Sequence, residues 1–160
     1  MSDKIKMERA NEVYNTLTTM LDARDWNYKK DEEKLLIKSG IKGDDLPVEF
    51  FIVVKPDNEV VQFISILPFN MPEDKRVDGA IAVSIANYGL IEGSFDYDVM
   101  DGEISFRLTT SYRGGSTISD DLLESMIYIA SSTVDQYNDK FFMIAKGMMT
   151  IEQLIETDNV

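Results

Sequence analysis

The sequence contains no cysteine and no histidine. Without cysteine there are no disulfides and no thiolate chemistry. Without histidine the commonest general base and the commonest transition-metal ligand are both missing. A Ser-His-Asp arrangement within the chain is impossible, so Ser111 and Ser116 have no base to activate them. No apolar run approaches the roughly 20 residues of a membrane-spanning helix. The opening stretch MSDKIKMERANEVY mixes charges and turns amphipathic at once, so it does not read as a signal peptide. Positive charge is scarce: 16 Lys and Arg stand against 29 Asp and Glu, a net charge of −13. Such a surface repels nucleic-acid phosphate and anionic lipid. The expectation is a cytoplasmic protein that binds neither nucleic acid nor membrane, needs no cofactor, and suits a protein partner.

What is present is a globular pattern. At 160 residues and 44% hydrophobic content the chain reads as one domain over 1–160, long enough for a real core. The spacing of Ile5, Val13, Leu17, Met20 and Leu21 predicts a helix over 4–24, capped at Ser2-Asp3. Strands are predicted over 26–30 and 34–42, with Leu35, Ile37 and Ile41 on one side of the second and Leu36 on the other. Gly40 and Gly43 suggest a bulge and a turn. Strands over 48–55 and 60–67 follow, joined by Pro56-Asp57-Asn58-Glu59. With Asp57-Asn58 at the turn centre, Val54 meets Val61, Ile52 meets Phe63 and Phe50 meets Ser65. The other face then carries Phe51, Val53, Ile64 and Ile66. A hairpin with one solvated face alternates with polar residues; this one does not, so both its faces are expected to be covered.

A helix over 73–87 comes next. Val77, Ala80, Ile81, Ser84 and Tyr88 form one side, and Gly79, Ala82, Val83 and Ala86 form a small apolar one. Helices apolar nearly all round are usually buried nearly all round. Gly89 is read as a left-handed stop. Asp101-Gly102 is a two-residue hairpin signal. It predicts Val99 opposite Ile104, Tyr97 opposite Phe106 and Phe95 opposite Leu108, with Asp96 opposite Arg107 as an ion pair on the solvated face. Ser119 caps a helix running to Asp139, with Asp120-Asp121 in its first turn. A separate helical piece over 141–149 ends near Gly147. Thr150 and Gln153 form a capping box for a last helix over 151–156. Strands joined by short turns are antiparallel, so the fold class is α+β: an antiparallel β-sheet with helices packed on it, in the order α-β-β-β-β-α-β-β-α-α.

No catalytic signature emerges. Asp96, Asp98, Asp101 and Gly102 resemble a calcium loop, but the third acid and the glycine each come one position late and Arg107 stands where a glutamate belongs. Hairpin chemistry accounts for them. Arg113-Gly114-Gly115-Ser116-Thr117 lacks the spacing and the lysine of a phosphate loop, and Asp120 and Asp121 beside it would repel phosphate. Asp44, Asp45, Asp57, Glu59, Asp74 and Asp78 show no spacing that selects an acid–base pair or a metal site. Met143, Met148 and Met149, with Phe141, Phe142 and Ile144, form a soft apolar cluster. Such clusters suit adaptable binding surfaces or ordinary core.

Asn87-x-x-Leu90-x-x-Gly93-x-Phe95, then Asp101-Gly102-x-Ile104-x-Phe106-Arg107, then Val134-Asp135-x-Tyr137, together with the amphipathic first helix, resemble the YbjN family of bacterial sensory transduction regulators. The resemblance covers nearly the whole chain. It implies a fold like that of type III secretion chaperones, which are small acidic proteins, often dimers, that bind segments of other proteins. It supplies no catalytic residue. The function expected is therefore non-enzymatic protein binding, with a protein client or a second copy as partner. The candidate contact surface is Phe51, Val53, Ile64, Ile66, Met143, Met148 and Met149. Two rivals remain at this point: a metal-dependent enzyme using carboxylates alone, which needs several acids converging in one pocket, and an acidic mimic of nucleic acid, which needs them along one convex face.

Overall fold

The computed structural model describes residues 2–158. Its elements follow the expected order: α1 (Asp3–Ala23), β1 (Lys29–Asp31), β2 (Leu36–Ile41), β3 (Val48–Lys55), β4 (Val60–Asn70), α2 (Arg76–Tyr88), β5 (Ser94–Tyr97), β6 (Glu103–Ser111), α3 (Asp120–Ala145) and α4 (Ile151–Asp158). The strands form one antiparallel sheet in the order β1-β2-β3-β4-β6-β5, so the fold is α+β.

The Ser2 hydroxyl accepts from the Ile5 N–H at 3.4 Å and opens α1. Ala10, Val13, Tyr14, Leu17, Met20 and Leu21 then bury one stripe of it. Asp25 turns the chain at φ 54°, and the Trp26 N–H donates back to the Leu21 carbonyl at 3.0 Å. That turn delays the first strand from position 26 to Lys29. Leu35, at φ 50°, occupies the next turn, so β2 begins at Leu36 rather than 34. β2 pairs with β3 without interruption from Leu36↔Val53 to Ile41↔Val48. Gly40 is therefore not a bulge; the sheet's irregularity lies in β4, between Ile66 and Asn70.

The β3–β4 hairpin has the expected register, Val54↔Val61 and Ile52↔Phe63. The β5–β6 hairpin does not: Tyr97 pairs with Ile104 and Phe95 with Phe106, two residues away from the tight-turn register. A longer loop replaces the two-residue turn. The Gly102 N–H donates to the Asp98 carbonyl at 2.8 Å, and the Gly102 carbonyl accepts from the Met71 N–H at 2.8 Å. Gly102, at φ +79°, lies against the Met71 backbone with no room for a side chain. The shift is an even number, so every side chain keeps its face. Asp96 still holds Arg107, at 2.9 and 3.1 Å, as a diagonal rather than a directly opposed pair.

Two helix expectations also change. Gly89 stays at φ −99° and is not a left-handed stop. The helix begun at Asp120 runs unbroken to Ala145, absorbing the piece expected to be separate. Nothing between Asp139 and Ala145 breaks a helix. The left-handed residue is Gly147, at φ +70°. Around it Met148 donates to Met143 at 2.7 Å and Gly147 to Ile144 at 3.1 Å, which is a Schellman closure. The capping box before α4 forms reciprocally: Thr150 N–H to Gln153 Oε1 at 2.9 Å and Gln153 N–H to Thr150 Oγ1 at 3.2 Å.

All four helices contribute to one core. Ile37, Phe50, Ile52, Val54, Val61, Phe63, Ile104, Phe106 and Leu108 point from the strands toward α1 and α3. Phe95 meets Phe106, Tyr137 and Phe141 edge-on at 5.1–5.7 Å, which ties the far sheet edge to α3. α4 packs on α2 and adds Leu154 to the same core. Among the described residues, no helix lies on the opposite face of the sheet.

Candidate protein-interaction surface

Strand alternation sends every second side chain of the sheet to that bare face. One row across it reads Lys29, Lys38, Phe51, Ile64, Arg107, and the next reads Asp31, Leu36, Val53, Gln62, Thr109. Ile66, opposite Ser105, extends the apolar patch and is 46% exposed. Phe51, Val53 and Ile64 are half-buried by their strand neighbours and belong to no core cluster. The expectation that both faces of the central hairpin are covered is thus wrong for the chain on its own. The C-terminal helices, which could have closed the second face, lie on the first.

The patch has polar margins on one side. Gln62 donates to the Thr109 hydroxyl at 3.1 Å, and the Asp96–Arg107 pair flanks Ile64. On the other side lies a cleft of about 580 Å³, bounded by Tyr28, Lys38, Gly40, Glu49, Phe51 and Ile66. Burial and a 2.7 Å hydrogen bond to Asp22 push the Tyr28 phenol up to about 12, so it stays protonated at physiological pH.

Met143, Met148 and Met149 lie apart from this patch, where α3 ends in the helical layer. Met149 packs on the core, Met143 is half-buried and its carbonyl accepts the Met148 N–H, and Met148 is exposed. Phe142 meets Phe69 edge-on at 5.3 Å, while Phe141 and Ile144 are buried.

The helix expected to be buried nearly all round instead leaves one apolar side exposed. The small side of α2 (Gly79, Ala82, Val83, Ala86) is the buried side. Gly79 lets the helix approach Met71 and the Tyr97 hydroxyl, which leave no space for a Cβ. The larger side faces out: Val77, Ile81 and Tyr88 are exposed, Tyr88 at 96%, and Ile91 follows beyond the helix. Their spacing was visible; which side faced inward depended on how closely α2 could approach β5.

Several of the acids singled out in the sequence have structural partners. Asp98 caps the Met100 N–H at 2.8 Å and Asp101 the Glu103 N–H at 2.9 Å, so the calcium-like residues serve their hairpin. Glu59 binds Arg9 at 2.7 Å. Asp44, Asp45, Asp135 and Asp139 share one shallow cleft, but Asp135 is engaged by the Asp44 N–H at 2.9 Å. Burial first, and Asp45 after it, hold the Asp139 carboxyl above its usual range. Among the described residues no three acids are placed to share a metal ion. In the glycine-rich loop, Arg113 donates to the Asn58 carbonyl at 2.9 Å, and Gly114 and Gly115 have open space around them. No described helix is long and apolar enough to cross a membrane.

The motif residues prove to be architectural. Asn87 brackets the outer edge of β5, donating to the Phe95 carbonyl at 2.9 Å and accepting the Phe95 N–H at 2.7 Å. Gly93, at φ +75°, lies against the Phe106 ring. The Tyr137 hydroxyl donates to Asp158 at 2.6 Å. The family profile described as "Putative bacterial sensory transduction regulator" matches residues 14–143. The chain belongs to the YbjN family. No curated protein is similar enough in sequence to match it. Among solved structures, YbjN from E. coli is similar at 11% identity and TM-score 0.61, over 83% of this chain and 92% of that one. The ExsC–ExsE complex contains a chain similar at 9% identity and TM-score 0.56, over 80% and 92%. The HopA1–SchA chaperone–effector complex contains one at 12% identity and TM-score 0.50, over 83% and 95%. At these identities the likeness is one of fold, shared between YbjN and type III secretion chaperones.

Proposed function

We propose that this YbjN-family chain is a non-enzymatic, chaperone-like protein-binding module acting as one domain in the cytoplasm, with the bare sheet face as its client surface. The observation that carries this reading is the convergence of Phe51, Val53, Ile64 and Ile66 on a face that none of the described helices covers. Full burial of such a side chain gains about 1.5–3 kcal/mol, and less for those already half-covered. Two of the structural neighbours were solved in complexes with a second protein, which supports a reading as a protein binder.

A second copy is the further partner. Two chains of net charge −13 repel each other, so self-association favours a surface without acids. The α2 ridge of Val77, Ile81 and Tyr88 is apolar and exposed, the acid on its flank, Asp78, is paired with Lys75 at 4.0 Å, and a two-fold axis across the ridge would pair it with itself.

The test is affinity capture from native cell extract with mass spectrometry, comparing the natural chain with Ile64→Asp and Ile66→Asp. Both variants are expected to keep their circular dichroism and lose the same captured proteins. Identical capture by all three would remove the sheet face from the reading.

A further inference from the structure

The overall charge suggests a basic client, but the bare face has the opposite local sign at its β1–β2 end. Lys29 and Lys38 stand directly opposite each other on adjacent strands, on the same face as Phe51 and Ile64. Like charges in that position repel. The neighbouring lysines have acid partners: Lys30 reaches Glu32 at 2.9 Å and Lys34 reaches Asp31 at 3.8 Å. Among the described residues, Lys29 and Lys38 have none within ion-pair distance, in a chain with 29 acids. Both border the cleft of about 580 Å³ whose apolar walls are Phe51 and Ile66. Gly40, opposite Glu49, contributes no side chain and leaves the cleft open. Glu49 is the one carboxylate lining it. Charges beyond about 8 Å are largely screened at physiological ionic strength, so the distant surplus of acids counts little here; nearer by, Asp31 shares the face two residues along from Lys29 but is engaged by Lys34 at 3.8 Å, which leaves the two lysines against Glu49.

We propose that this end of the face selects its client: the cleft takes a bulky apolar side chain, and Lys29 and Lys38 take carboxylates beside it. The bound segment is then an extended acidic–apolar stretch of another protein. The inference rests on the protein-binding reading above and adds the sign of the charge that is recognised.

The test uses the full chain and three short fluorescein-labelled peptides that share alternating Leu and Phe. Their intervening positions are Asp and Glu in the first, Gln in the second and Lys in the third. Fluorescence anisotropy is expected to rank acidic above neutral above basic, with about tenfold or more between the extremes and a gap that narrows as salt rises. Lys29→Glu with Lys38→Glu, both on exposed side chains, is expected to invert the order with circular dichroism unchanged. Ile66→Asp is expected to weaken all three peptides. Equal affinities in the natural chain, with all three lost in Ile66→Asp, would overturn the charge selection and leave the client surface standing. Binding of none would overturn both at this face. Sedimentation of the peptide-free protein supplies the last arm, with the same oligomeric state expected in natural and Lys38→Glu chains. An assembly lost on that substitution would place a second copy in the cleft and overturn the proposal.

Discussion

Arg9 joins three segments of the chain. Its guanidinium binds Glu59 at 2.7 Å, donates to the Tyr112 carbonyl, and lies 5.5 Å from the centre of the Tyr112 ring. The two charged side chains are only 18% and 13% exposed. Removing one member of such a pair strands the other, at a cost of about 3 kcal/mol. Arg9→Met is therefore expected to lower stability by roughly that amount in urea unfolding, and Glu59→Gln added to it by much less, because the two act as one unit. Asp139 carries the opposite kind of effect. Burial holds its carboxyl above the usual range, so the folded chain binds the proton more tightly than the unfolded one. Stability from this group is full below the ordinary aspartate range and falls as pH rises through the folded value. Asp139→Asn is expected to raise the melting temperature at neutral pH and to lose that advantage in acid, as followed by calorimetry at several pH values. Lys140 beside it and the aspartates Asp44, Asp45 and Asp135 in its cleft share the local field.

At the scale of elements, the two hairpins separate local from tertiary control. Between β3 and β4, alternation and turn chemistry agree, and the register follows from the sequence. Between β5 and β6 the Asp-Gly signal suggested a tight turn. The loop instead reaches across to Met71, whose N–H donates to the Gly102 carbonyl. That contact joins residues far apart in sequence, so no local pattern encodes it. Gly102→Ala has to bear a positive φ and a backbone collision together. It is expected to cost about 2 kcal/mol or more in chemical unfolding. Asn87 acts over a shorter span of chain, eight residues. Its amide satisfies the outward N–H and C=O of Phe95 and so closes the edge of β5 against stray pairing. Asn87→Ala leaves two backbone groups unpaired, with an expected loss of about 1–3 kcal/mol. Hydrogen exchange at the Phe95 amide should quicken, because that proton loses its acceptor.

For the whole molecule the governing fact is that all the helices pack on one side. A sheet of six strands then offers one apolar face to the outside, and α2 offers a ridge. The ridge leads to the last prediction. Ile81→Glu with Tyr88→Glu is expected to turn a concentration-dependent dimer into a monomer in sedimentation velocity, without changing circular dichroism, since both side chains point to solvent. A natural chain that stays monomeric at high concentration would remove the dimer. The candidate surface was half legible at this scale. Phe51, Val53, Ile64 and Ile66 were recognisable as a shared face because strand parity is local. Whether that face was covered depended on where the C-terminal helices docked.

The amino-acid order by itself determined the succession of helices and strands, the caps at Ser2, Ser119 and Thr150, the register of the central hairpin and the lack of histidine and cysteine chemistry. These follow from periods of two and near four residues and from side chains acting on their immediate neighbours. Only the tertiary structure decided which side of α2 was buried, that β5 and β6 slipped by two, and that the second sheet face stayed open. The first two turn on close approach between segments, where Gly79 and Gly102 have no Cβ to collide, and the third on which side of the sheet the C-terminal helices docked.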